Sequence, residues 1–349
     1  MSEDAVDALK KCAEALQHGN PRVANAEMGR VLFLAEKETT TSTRKLIGYF
    51  AQALACRAYG LHPKYFSFPS PDWKYWLCRK CGLFTCVGAY ISDVVKGKCK
   101  VHVIELVKHM DGYEQWASIL DGVDDWGDLT HLRLSFLVQE KVEFSKESEE
   151  KLIRSSIYYR IGLEYKIIAV NSFADIDVSL LEMRDGEFVV VNCMFVFSKM
   201  LSEALALEKL LQRVRDVMRV DVMIVVEHDA NHNQSDFLLR FNESLRYYSS
   251  VFEAYYSFNK SEQYFRYQIC NMVACEGSNR VERHQTWAQW KSLLIHYGFS
   301  IFNSHHFFGK RLPSNFPNFP RGILFSSYAL SCLSNMQFEK HWIPHLGSS

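Results

Sequence analysis

Through the first sixty positions, apolar residues recur every three or four places; in five later runs they are nearly continuous. Val6, Leu9, Ala13 and Leu16 make one helical stripe, stopped at Gly19-Asn20-Pro21. Asn20 there suits an N-cap and Pro21 the first helical position, so a second helix starts at once. Its expected inward face is Val23, Ala26, Val31 and Leu34, and the polar run Thr39–Thr43 breaks it. A third helix carries Leu46, Ile47, Phe50, Leu54 and Ala58 and ends at Gly60. Residues 61–72, rich in Pro, Ser and aromatic side chains, read as a connector. The rhythm then changes. Strands are predicted at Val101–Val107, Leu132–Leu137, Tyr165–Val170, Phe188–Phe197 and Val222–Glu227, with helical patterns at Glu149–Tyr159 and Ser198–Arg215. Such alternation argues βαβ units and a parallel sheet, and near-continuous apolar runs argue strands covered on both faces. The expected fold is α/β. Residues 1–60 form an N-terminal α-helical cap, and 61–349 a Rossmann-like core with a mostly parallel sheet.

One strand exit is denser in chemistry than the rest. Val222–Val226 gives way abruptly to Glu227-His228-Asp229-Ala230-Asn231-His232-Asn233. A helical pattern follows through Phe237, Phe241, Leu245, Tyr248 and Phe252. Strand, polar turn, helix is the arrangement whose turn collects ligand or partner groups in open α/β sheets. Asn and Asp also suit such a turn simply by capping the next helix. The stretch Asp121–Asp128 reads as an acidic, solvent-facing loop, and the signal weakens after Phe299, with a last strand expected at Ile323–Phe325.

Composition narrows the function classes. Of 349 residues, 48% are hydrophobic and 14% aromatic, which excludes global disorder. The formal net charge is zero, so no general pull toward nucleic acid or anionic membrane exists. No apolar run is long enough to span a bilayer. The acidic start Met1-Ser2-Glu3-Asp4 leads into a polar helix, which predicts a reducing compartment for the ten cysteines.

A phosphate or methyl-donor loop is the first chemistry to seek. After the first predicted strand the chain reads Glu105-Leu106-Val107-Lys108-His109-Met110-Asp111-Gly112, one glycine where a dinucleotide turn needs three. Glu105 is placed to hold a ribose hydroxyl, but no backbone cradle accompanies it, and no bound cofactor is expected. Cys78 and Cys81 form one half of a zinc site, with Cys86, Cys99 and His102 beyond; no second pair matches. Buried thiols are the default reading and no metal is expected, with zinc at Cys78 and Cys81 the lesser alternative. His228, His232 and Glu227 have a hydrolytic look, yet no nucleophile elbow accompanies them. Leu207, Leu210 and Leu211 share a helix face that suits either the core or a partner helix. Arg283 is a candidate partner for a carboxylate such as Glu227 or Glu282, a pairing that would fix geometry.

Several of these segments resemble the plant GRAS-domain family of SCARECROW-like transcriptional regulators. Val101-His102-Val103-Ile104-Glu105 resembles the VHIID motif, with Val for its Ile and Glu for its Asp. Gly112, Gln115 and Trp116 fall where that motif's glycine and Gln-Trp pair follow. Cys12–Leu16 and Tyr49–Leu54 resemble the first leucine-rich region, and Val191-Asn192-Cys193 through Leu201 the end of the second. Glu227 to Asn233, with Asn231 and His232 inside it, then Phe237, Arg240-Phe241 and Tyr247-Tyr248, resemble the PFYRE region; Glu282-Arg283-His284 resembles its last element. At the C-terminus, Glu339-Lys340-His341-Trp342 is a remnant of the SAW motif. The resemblance implies a nuclear regulator whose core is methyltransferase-like but without known catalysis. It implies partners that are other GRAS proteins and DNA-binding transcription factors. The rival expectation is a small-molecule binder or S-adenosylmethionine-dependent transferase that keeps the pocket.

Overall fold

A computed structural model describes residues 1–61, 83–107, 112–139, 144–255, 262–300 and 323–327. The predicted connector, Cys78, Cys81 and the SAW remnant lie outside those residues. Three helices open the chain, α1 (Glu3–Gln17), α2 (Pro21–Lys37) and α3 (Thr41–Ala58). Asn20 caps α2 by accepting the Val23 amide at 3.3 Å, and Thr40 caps α3 from Thr43. The inward face of α2 differs from expectation. Val23 is 44% exposed and Ala26 is exposed, while Ala24, Val31 and Ala35 are buried. Small residues let α2 approach α1 closely, with Cys12 Sγ 3.4 Å from the Ala24 carbonyl oxygen. That crossing, rather than side-chain bulk, sets the rotation of α2.

Further on come α4 (Leu83–Val94), β1 (Lys100–Val107), α5 (Gly112–Asp121), β2 (His131–Val138), α6 (Lys146–Tyr158) and β3 (Gly162–Ala169). After them run β4 (Phe188–Met194), a one-turn α7 (Phe197–Met200), α8 (Ala206–Asp216), β5 (Val222–His228), α9 (Phe237–Tyr255), α10 (Glu262–Ala274), α11 (Trp287–His296) and β6 (Ile323–Ser327). The fourth strand stops earlier than predicted, because Phe195 turns to a φ of 57° and α7 begins. The helix predicted over Ser198–Arg215 is two helices, broken where Leu205 takes a φ of 58°.

The sheet runs β3-β2-β1-β4-β5-β6. The first five strands are parallel and β6 returns antiparallel beside β5. Strand order reverses between β1 and β4, the switch point at which open α/β sheets place ligands. Apolar side chains cover both faces of β1, β2, β4 and β5, whereas the edge strand β3 is mostly open to solvent, with Ile167 46% exposed, contrary to the covering expected of every apolar run. One layer joins α1–α6 to α9 and α10: Phe50 meets the Phe241 ring at 5.7 Å and Tyr49 meets Phe252 at 5.8 Å. The helical layer is therefore built from both ends of the chain. The other layer holds α7, α8 and α11, and Leu207, Leu210 and Leu211 are fully buried there, so that leucine face serves the core. In the acidic loop, Asp124, Asp125 and Asp128 are exposed while Val123 and Trp126 anchor it inward.

Candidate functional site

Glu105 lies in the carboxyl-terminal half of β1, in register with Asn192 on β4 across the switch point. Both are buried. Asn192 Nδ2 donates to Glu105 Oε2 at 2.7 Å, and Trp116 Nε1 donates to the same oxygen at 2.9 Å. Gln115 Nε2 donates to Oε1 at 2.8 Å. The two latter donors sit side by side on α5, which Gly112 starts. A Cβ on Gly112 would lie 2.5 Å from the Phe136 ring, so glycine lets α5 close onto β2. Burial pushes the Glu105 carboxyl up to about 7, against the opposing pull of Asn192, Trp116 and Gln115. The carboxylate placed to grip a ribose is held by three protein donors instead.

Val101 and Ile104 fill opposite apolar layers of the sheet. His102, nearer the start of β1, belongs to a separate buried chain. Arg133 Nη2 donates to its Nδ1 at 2.9 Å, which leaves Nε2–H to donate to Ser135 Oγ at 2.8 Å. Burial, followed by Arg133, drives His102 down to about 3. Arg133 also forks onto the Glu187 carboxylate and reaches the Leu181 carbonyl at 2.8 Å. Cys86 is buried and Cys99 is exposed. Among the described residues, no three His, Cys, Asp or Glu side chains are grouped to hold a metal ion. A surface crevice of about 350 Å³, lined by Gly97, Lys98, Cys99, Lys100, Asp185 and Gly186, opens at the amino-terminal end of β1. That is the opposite end of the sheet from the switch point.

The exit from β5 forms the second centre. Glu227 accepts the Ser198 amide at 3.2 Å, at the start of α7, and His228 Nδ1 lies 2.7 Å from the Tyr247 hydroxyl. The following stretch is stitched to residues 284–287. Asp229 accepts the Trp287 amide at 2.7 Å, Asp229 bridges Gln285, and the His232 amide donates to the His284 carbonyl at 2.9 Å. Asn231 is held at both ends: its amide donates to Glu243 at 3.3 Å, and its side-chain oxygen faces Gln289 at 3.5 Å. Below them Glu282 accepts from Lys199 and lies 3.2 Å from His284 Nε2 and 3.4 Å from Gln268 Nε2. A carboxylate only accepts, so His284 carries its proton on Nε2 and its Nδ1 accepts from His232 Nδ1–H, 3.0 Å away. His232 Nε2 is then bare, and it has no partner among the described residues. Burial first, then His284, holds His232 well below the usual imidazole range.

Arg283 does not pair with Glu227 or Glu282, contrary to the sequence expectation. Its Nε donates to the Arg280 carbonyl at 2.9 Å, Nη1 to Asn233 Oδ1 at 3.1 Å and Nη2 to the Gly277 carbonyl at 2.7 Å. Arg280 is extended, and burial alternates from it through 284, as when successive side chains face opposite ways. Arg280, Glu282 and His284 point inward, while Val281 and Arg283 are only partly buried. The hydrolytic look dissolves for a similar reason: Glu227, His228 and His232 each face a different structural partner. Lys199, Gln268, Arg57, Glu276 and Arg280 were not singled out from the sequence. Only Lys199 carried a signal, as a lone ammonium inside the apolar run 188–201.

With this geometry in view, similarity to known proteins is informative. The family model described as the GRAS domain family matches residues 78–311. DELLA protein GAI1 of Vitis vinifera is 36% identical over 319 residues, covering 85% of this chain and 53% of that protein. DELLA protein GAI of Arabidopsis thaliana is 35% identical over 315 residues, covering 84% of this chain and 58% of that one. The chain thus spans about half the length of the curated relatives it matches. The crystal structure of SCL7 from Oryza sativa superposes with a TM-score of 0.73 at 18% identity, covering 93% of this chain and 99% of SCL7, which shows a shared fold. The blocks at β1–α5, β4–α7 and the β5 exit therefore belong to one inherited scaffold, and this chain is a member of the GRAS domain family.

Proposed function

We propose that the chain works in the nucleus by holding other polypeptides: further GRAS proteins and DNA-binding transcription factors. Members of its family are transcriptional regulators. One observation carries the finer reading. Glu105, the switch-point carboxylate, is occupied by Gln115, Trp116 and Asn192, so the groups that would grip a small ligand grip the protein itself. The neutral overall charge supports a scaffold over an autonomous DNA reader, since DNA affinity comes largely from surplus Lys and Arg. Residues 101–107, 112–116, 227–233 and 283–284 serve in this reading to hold the shape of the partner surface. Residues 1–60 form the cap of that surface.

The test is capture from plant nuclei with the full chain. GRAS proteins or DNA-binding factors should be recovered directly and stoichiometrically. Tight, steeply salt-dependent binding of operator DNA by the purified chain alone would replace this reading with that of a DNA reader.

A further inference from the structure

Below the β5 exit, where α10 ends, four guanidinium groups converge from distant parts of the chain. Arg57 comes from the end of α3, Arg240 from the first turns of α9, and Arg280 and Arg283 from the segment after α10. Arg57 Nη1 and Arg240 Nη2 meet the same oxygen, Glu276 Oε1, at 2.8 and 2.5 Å. Arg57 also donates to the Val273 carbonyl at 3.1 Å, and Arg240 to the Met272 carbonyl at 2.8 Å, the last turn of α10. Those two are accounted for by one carboxylate and a helix C-terminus.

Arg280 and Arg283 are not. Their acceptors are neutral: Arg280 Nη1 donates to the His232 carbonyl at 2.7 Å, and Arg283 to two carbonyls and Asn233. Arg280 is only 3% exposed, yet its Nε has no partner among the described residues. Burial, followed by Arg240 and Arg283, lowers Arg280 to about 10. Among the described residues, Glu276 is the one carboxylate acting on Arg240, Arg280 and Arg283 alike, so these cations share a single counter-ion. A buried charge without a counter-ion of its own is costly, and a guanidinium fork is shaped to take two oxygens of an anion.

The cluster is not sealed. The Glu276 side chain is 47% exposed, and Gly277, Ser278 and Asn279 above it are exposed. We infer that Arg280, Arg283, Arg57 and Arg240 form a binding site for one tetrahedral oxyanion, the phosphate monoester on a phosphorylated side chain of a partner polypeptide. Glu276 occupies part of that site in the free protein. The choice of carrier rests on the proposed function; the anion site itself does not. A compact four-arginine knot suits a single phosphate. A nucleic-acid backbone would instead ask for a stripe of cations along a groove.

The test is titration calorimetry of the full chain with inorganic phosphate, with a short phosphoserine peptide, and with that peptide unphosphorylated. Chloride at equal ionic strength serves as control. Phosphate and phosphopeptide should bind, and the unphosphorylated peptide should not. Arg283→Gln should weaken binding at least tenfold, the order that close charge pairs contribute at interfaces. Glu276→Gln should tighten it by about tenfold, because the competing carboxylate is gone. That gain keeps the test decisive even where an arginine variant fails to fold. No heat with either phosphate species, or affinity unmoved by Glu276→Gln, would overturn the site. Phosphate binding without phosphopeptide binding, or ready displacement of the peptide by duplex DNA, would overturn the carrier. Neither result bears on whether the chain holds partners elsewhere.

Discussion

Glu105 and Glu282 are both fully buried carboxylates beside the carboxyl ends of the sheet, yet they are held in opposite ways. Three neutral donors surround Glu105, all from within the α5–β4 region. A cation, Lys199, and an imidazole, His284, hold Glu282, and they tie α7 to the segment before α11. Neutral dipoles spread the stabilisation over several weak contacts and let the group take up a proton as it is buried. A cation concentrates it in one contact. The switch point is thus closed by a graded device, and the β5 exit by a single ionic latch.

Breaking the latch should have the largest effect. Lys199→Ala leaves Glu282 buried without its cation, which costs about 3–5 kcal/mol for such pairs. Urea unfolding checks this, and an unchanged midpoint would mean Glu282 does not depend on Lys199. The pH dependence sharpens the graded side. Glu105 is raised from 4.5 to about 7, so the stability it contributes is present below pH 4.5 and lost as pH rises to 7. His102 is lowered from 6.5 to about 3, so its contribution is present above pH 6.5 and lost as pH falls toward 3. Between pH 4.5 and 6.5 the two oppose each other. Glu105→Gln should therefore tilt stability upward with pH across that window relative to wild type, and His102→Gln should tilt it downward. Each tilt is about 1.4 kcal/mol per pH unit, one proton's worth. Denaturant curves at several pH values read both, and parallel curves would contradict the assignment.

Removing one of three donors should matter less. Trp116→Phe deletes one N–H to a carboxylate while keeping most of the ring, an expected cost of about 1.5–3 kcal/mol by thermal unfolding. A loss as large as that of Lys199→Ala would mean that the Glu105 device is not graded. Arg283→Ala touches neither carboxylate and removes bonds to two carbonyls and an amide at a partly exposed site. About 1–2 kcal/mol is expected. A loss of 4 kcal/mol or more would restore the buried pairing that the sequence suggested.

Much of the fold was legible because four of the five parallel strands are covered on both faces, the edge strand β3 being the exception. Five nearly unbroken apolar runs name the parallel strands, and helical stripes between them force the crossovers. The rotation of α2 was not legible: Ala24 and Ala35 pack inward through their smallness, while bulkier Val23 faces solvent. Pattern reading ranks residues by hydrophobicity and so inverts such a face. Glu105, Gln115 and Trp116 were legible as a motif, but their mutual hydrogen bonding was not, since it needs the angle of α5 against β1. The Arg283 pairing failed because burial alternates along 280–284, which sends Arg283 away from Glu282. The arginine knot was invisible for a topological reason. Arg57 and Arg240 are 183 positions apart and meet only because α3 and α9 share one layer around Glu276.

The central claim is that the chain's own side chains have taken over the switch-point ligand position. Titration calorimetry of the full chain with S-adenosylmethionine and S-adenosylhomocysteine addresses it most directly. No binding heat is predicted at millimolar ligand, with wild type and Glu105→Ala alike. A micromolar signal that disappears in Glu105→Ala would show that Glu105 still holds a ribose, and the closed switch point would be contradicted.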